Sequence, residues 1–127
     1  MERTRKLTDL RPVLNLDKHT SQSEQERFQN DTIRPIIKFQ HELITSLVTN
    51  HKFYAKSTLN TNTKDEYRAA LKAFLNGQKE LRHQLIGLVI GLITLIEFNQ
   101  YQLNSSEYQR RIIQIIVQRI FDAIGPK

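Results

Sequence analysis

The sequence predicts an all-α fold: a small helical bundle of three long helices plus one short helix, the first helix kinked at Pro35. Three observations carry that expectation. Apolar residues recur at three- and four-residue spacing over long stretches, as one buried helix face requires. Helix breakers are scarce, with four glycines and three prolines in 127 residues, which disfavours many short strands joined by turns. Ser23 with Glu26, Thr63 with Glu66 and Thr94 with Glu97 each have the Ser/Thr-x-x-Glu form of a capping box, which satisfies orphan N–H groups at a helix start.

Residues 1–22 are basic and lack a sustained period, so they read as an N-terminal arm, partly ordered or disordered. Leu7, Leu10, Val13, Leu14 and Leu16 are its candidates for lying over the bundle. Residues 23–127 then form a single helical-bundle domain. The first helix is expected from about Glu24 to Tyr54, with Phe28, Ile33, Ile36, Ile37, Leu43, Ile44, Leu47 and Val48 on its buried stripe. Pro35 interrupts it, at a cost of about 3 kcal/mol in a helix interior, yet the stripe stays in phase on both sides. One long helix kinked near Asp31 is therefore preferred over a break at Asn30 and a restart capped by Asp31 or Thr32.

Ser57 to Thr63 read as a polar linker. The second helix follows from Thr63, buries Tyr67, Ala70, Leu71, Phe74, Leu75, Gln78, Leu81, Leu85, Leu88 and Val89, and runs through Gly77 to about Ile90. Leu81 to Phe98 is the most apolar stretch of the chain and the expected centre of the core. Its unbroken aliphatic part falls short of the ~18–20 residues needed to cross a bilayer. Gly87 and Gly91 share one face, where a neighbouring backbone could come close. A short helix is expected from Leu95 to Leu103, a break at Asn104-Ser105-Ser106, and a last helix from about Glu107 to Ile124. Gly125-Pro126 stops it. The last helix has a wide aliphatic arc of Ile112, Ile113, Ile116, Val117, Ile120 and Ile124, with Ile115 and Phe121 outside. Such an arc suits a helix wedged between neighbours or one that also supplies a subunit contact.

The chain has no cysteine, which excludes disulfides, thiol catalysis and thiolate metal ligands. The first residues lack an apolar h-region, so no secretory signal is expected and the cytoplasm is the default location. A net charge of +6 favours acidic partners through long-range attraction, though charge speaks to solubility before it speaks to function.

Glu80 and His83 have the Glu-x-x-His spacing that places a carboxylate and an imidazole on one helix face. Di-iron bundles use two such motifs plus two more glutamates, and this chain has one, so the pair reads first as a solvated neighbour of the core. Lys64, Arg68, Lys72, Lys79 and Arg82 fall within about a quarter turn of an ideal helical wheel. That basic strip could face phosphates or an acidic partner. It has no interleaved aromatics for base stacking, and a solvated face is the commoner fate of such a run. Arg82, His83, Tyr101 and Tyr108, with Tyr67 nearby, are candidates to line a polar ligand pocket for an anion. No nucleophile–base set, glycine-rich phosphate loop or paired catalytic carboxylate is visible, and no cofactor is expected.

Glu26-Arg27-Phe28-Gln29-Asn30, then Arg34-Pro35-Ile36-Ile37-Lys38 with Gln40, together with Gly87 to Gly91, Thr94, Glu97 and Tyr101, resemble a small bacterial family of all-helical proteins of unassigned function. The resemblance implies an all-helical fold and a shared architectural kink at the proline. Some members carry a glyoxalase label, but glyoxalase domains set His and Glu ligands on strands of βαβββ modules, and neither feature is present in this sequence. The expected function is a non-enzymatic binding or scaffolding module, homo-oligomeric through the last helix or the Pro35 region. The alternatives are a nucleic-acid or acidic-partner binder using the Lys64-to-Arg82 strip, and a small enzyme or metal-binding protein with its site near Glu80, His83 and Tyr101.

Overall fold

The structure, a computed structural model, describes residues 2–11 and 23–126. Among these residues every regular element is helical: α1 (Glu2–Leu10), α2 (Glu24–Phe28), a π-helical turn (Gln29–Ile33), α3 (Arg34–Phe39), α4 (His41–Thr49), α5 (Tyr54–Thr58), α6 (Lys64–Gly77), α7 (Lys79–Ile90), α8 (Leu95–Gln102) and α9 (Ser105–Ile124). The class is the expected one, but the bundle of three long helices is not. Only α9 has the length expected of it, and the other two long helices are divided into shorter pieces.

The expected first helix ends at Thr49, five residues short of Tyr54, and its division before that point has two causes. Pro35 has no N–H to offer the Asp31 carbonyl one turn back. The chain answers by widening rather than breaking. The N–H of Arg34 reaches the Gln29 carbonyl, a five-residue step, and Phe28 and Arg34 on either side keep helical dihedrals of −59/−44° and −60/−45°. Pro35 then stands in the first turn of α3, where a missing donor costs little. The expected alternative of a restart capped by Asp31 or Thr32 does not occur, since the helix passes through these residues as a π turn. The second cause is Gln40, whose φ/ψ of −91/7° ends α3 and whose side chain donates to the Leu88 carbonyl at 3.3 Å. Phe28, Ile33, Ile36, Ile37, Ile44 and Val48 are buried as the stripe requires, whereas Leu43 is half exposed.

The second helix breaks at Gln78, whose φ/ψ of −102/83° is not helical. Continuous apolar periodicity across residues 64–90 therefore concealed a change of direction. The polar linker is shorter than expected, because Ser57 and Thr58 belong to α5. At Thr63 the hydroxyl accepts from the Glu66 N–H at 3.1 Å, but the Glu66 carboxylate accepts from the N–H of Asn62, not of Thr63. The capping box at Thr94 and Glu97 is complete.

The expected core centre also moves. Leu81, Leu85, Ile86, Val89 and Ile93 of the apolar stretch are buried, but Leu95 and Ile96 are 54% and 79% exposed. The axis of the molecule is instead α9, which packs against α6, α7, α8 and the π turn and buries Tyr108, Ile112, Ile113, Ile115, Ile116, Val117 and Ile120. Its wide arc is thus used within one chain, Ile115 included, while Ile124 stays exposed. Gly87 admits no close neighbour, since a Cβ there would meet nothing within 4 Å.

Part of the N-terminal arm is a helix lying on this body. Leu7 of α1 is buried, Arg3 donates to the Ile93 carbonyl at 3.0 Å, and Arg11 donates to the Leu92 carbonyl at 3.2 Å. Leu10 is half exposed, and Val13, Leu14 and Leu16 lie outside the described residues. No helix among the described residues is long and apolar enough to cross a membrane.

Candidate functional site

Two polar rows with four-residue spacing face one another across the junction of α6, α7 and α9. On α6 the row is Arg68, Lys72 and Asn76; on α9 it is Arg110, Gln114 and Gln118. Residues four apart lie one above the other on a helix, so each row is a ridge about 12 Å long. The two helices run antiparallel, because the start of α6 meets the end of α9. The Tyr67 and Phe121 ring centroids are 6.3 Å apart, and the Arg68 guanidinium lies 4.3 Å from the Phe121 centroid. Arg82 of α7 joins from the third side, and Ile113 and Val117 form the floor. The groove they enclose measures about 570 Å³.

The lining therefore carries four cations, three amides and two aliphatic side chains. Among the described residues it includes no carboxylate, imidazole or hydroxyl. Arg110 is oriented by Glu107, which accepts from its Nε at 3.0 Å and also accepts from Arg111. Hydrogen bonds from Arg110 and then Arg111 hold the Glu107 carboxyl down at about 2, and the same pairing raises Arg110. No carboxylate among the described residues lies within 4.0 Å of Arg68, Lys72 or Arg82. Guanidinium forks with free donors and a flexible ammonium suit an anion with several acceptor oxygens.

Three of the five residues of the basic strip read from the sequence lie in this groove. Arg68, Lys72 and Arg82 line the groove, while Lys64 and Lys79 do not. The chain leaves helical geometry at Gln78, and Arg82 reaches the groove through the packing of α7 on α9. The sequence reading missed Arg110, Asn76, Gln114 and Gln118. A signal was there: residues 110, 114 and 118 repeat the same interval beside the aliphatic arc, as do 68, 72 and 76.

The expected polar pocket does not form. Arg82 faces the groove, His83 is exposed, and Tyr101 and Tyr108 are buried in the core. Their hydroxyls are taken up by two crossed bonds between α8 and α9, Gln109 to Tyr101 at 2.8 Å and Gln100 to Tyr108 at 3.0 Å. Tyr67 is committed as well: burial raises its pKa, and the 2.7 Å hydroxyl contact with Tyr54 raises it further. Glu80 is exposed beside His83, and no group of three or more candidate metal ligands occurs among the described residues.

A second polar centre is structural. Glu97, half enclosed under α1, accepts from Arg11 at 2.6 Å, from the Thr32 hydroxyl of the π turn at 2.9 Å and from the Thr94 N–H at 2.8 Å. Burial pushes its carboxyl up, but these donors outweigh that and hold it at about 2.

Comparison with known protein families, with curated proteins and with solved structures gives no match. The family resemblance of the two sequence blocks therefore rests on those blocks alone.

Proposed function

We propose that this chain is a non-enzymatic binding module that recognises an anionic partner in the α6–α7–α9 groove. One observation carries the reading: two facing rows and a third helix bring Arg68, Lys72, Arg82 and Arg110 to one concavity whose lining has no carboxylate among the described residues. Arg110 is paired with Glu107, but Arg68, Lys72 and Arg82 have no carboxylate within 4.0 Å among the described residues, and gathering them has a cost in the free protein that an anion offsets. Among the described residues the lining holds no nucleophile–base pair, imidazole or carboxylate, which favours binding over catalysis.

The test is binding of a labelled single-stranded oligonucleotide and of inorganic polyphosphate at low and moderate salt. Contacts to three or four phosphates give a slope of log K against log salt of about −2 to −3. The triple substitution R68Q/K72Q/R82Q abolishes binding and leaves the helical circular dichroism intact. No binding of any anion at low salt ends the reading.

Self-association is a second reading, favoured by a different surface. Leu95, Ile96 and Leu103 of α8 and its end are 54%, 79% and 76% exposed, more than scattered surface leucines require. Light scattering at tens of micromolar distinguishes a homo-oligomer from a strict monomer, and I96K returns an oligomer to monomer.

A further inference from the structure

We propose that the groove's ligand is a small phosphorylated organic molecule, with at least two phosphoryl charges on a body of about nucleotide size. The inference rests on the reading of the groove as an anion site and narrows it. Three features of the lining point to that class.

The first is size. A groove of about 570 Å³ lies within the ~300–1,000 Å³ typical of small-ligand sites. A nucleic-acid strand needs a continuous cationic track, and Lys64 and Lys79, which would have extended it, are not in the lining.

The second is the distribution of charge. Arg68 and Lys72 stand one turn apart on α6, about 6 Å along its axis, with Arg82 on α7 and Arg110, already paired with Glu107, on α9. A lone carboxylate would satisfy one of them. Linked phosphoryl groups present several acceptor oxygens and more than one negative charge, which guanidinium forks and an ammonium can share from different sides.

The third is the neutral part of the lining. Asn76, Gln114 and Gln118 can donate to and accept from uncharged polar groups, and Ile113 and Val117 give a body something apolar to rest on. Single-stranded nucleic acids gain much of their affinity by stacking bases on exposed aromatic rings. None lines this groove, and the Phe121 ring beside it is occupied by Arg68.

Calorimetric titration of the full chain with ADP, inorganic pyrophosphate and a 20-nucleotide single-stranded RNA tests this at low salt. ADP is expected to bind, with pyrophosphate about tenfold weaker because it lacks the body. R82Q and the surface variant K72Q each weaken ADP binding about tenfold or more, with circular dichroism unchanged. K64Q and H83Q leave it unaltered. Binding of the RNA without binding of ADP or pyrophosphate overturns the proposal and leaves the anion-site reading standing. Silence from all three probes removes both. Equal affinity for ADP and pyrophosphate, or ADP binding indifferent to R82Q and K72Q, also overturns the proposal.

Discussion

Glu97 shows how one side chain can join parts of the chain that are distant in sequence. It completes its own capping box at Thr94, receives Thr32 from the π turn and receives Arg11 from beyond the end of α1. Removing one partner of such a half-enclosed pair strands the other, so R11A is expected to destabilise the fold by about 2–3 kcal/mol in urea unfolding at neutral pH. The pH dependence follows from the same contacts. With its carboxyl held at about 2 in the folded protein against an ordinary 4.5, Glu97 contributes fully above about pH 4.5. That contribution is lost as pH falls towards 2. Urea midpoints between pH 5 and 2.5 should decline more steeply for the wild type than for E97Q. Parallel declines would show that Glu97 is not the group responsible.

The helices themselves carry predictions through their glycines. Gly77 and Gly87 have helical backbone and open space where a Cβ would stand. G77A and G87A should each raise stability, by up to about 1 kcal/mol, through lower backbone entropy in the unfolded chain. G91A should gain nothing, because its Cβ would lie 3.0 Å from the Gly87 carbonyl oxygen. Thermal unfolding of the three variants separates these outcomes. The π turn is the other lesson of element architecture. A proline in phase with a hydrophobic stripe announces a disturbance. The widened turn found here is where Thr32 bonds Glu97 and where Ile33 and Pro35 are buried.

In the assembled molecule, α9 is the shared wall of both the core and the groove. Ile116 is fully buried at its centre, and I116A should cost about 2–5 kcal/mol in urea unfolding, as a cavity in a closely packed interior does. Substitutions on the opposite ridge behave differently. Q114A should leave the urea midpoint nearly unchanged while altering the affinity of the groove for ADP. A loss of stability from Q114A comparable to that of I116A would show that the ridge is structural.

The helical class, the three capping threonine and serine positions and most buried side chains were legible because each depends on neighbours three or four residues away. Periodicity is blind to where a helix turns. Residues 64–90 keep one hydrophobic phase across Gln78, and residues 24–54 keep it across Gln40, so both read as single helices. The candidate site was legible only in part for the same reason. Arg68, Lys72 and Arg82 stood out as a strip, but Arg110 on the facing ridge did not, and Tyr101 and Tyr108 stack on one another in the core, 6.2 Å between ring centroids, while His83 is exposed.

Local sequence alone settled that this chain coils into helices, where the capped ones start and which residues seek the interior, since those are short-range matters of capping, propensity and apolar spacing. Tertiary structure decided that α9 rather than the apolar middle is the axis, that α1 is held by carbonyls and a carboxylate some 80–90 residues away, and that two polar ridges close on a common groove. Those outcomes depend on how helices cross, and crossing is governed by the fit of side chains from distant segments, which no single stretch of sequence contains.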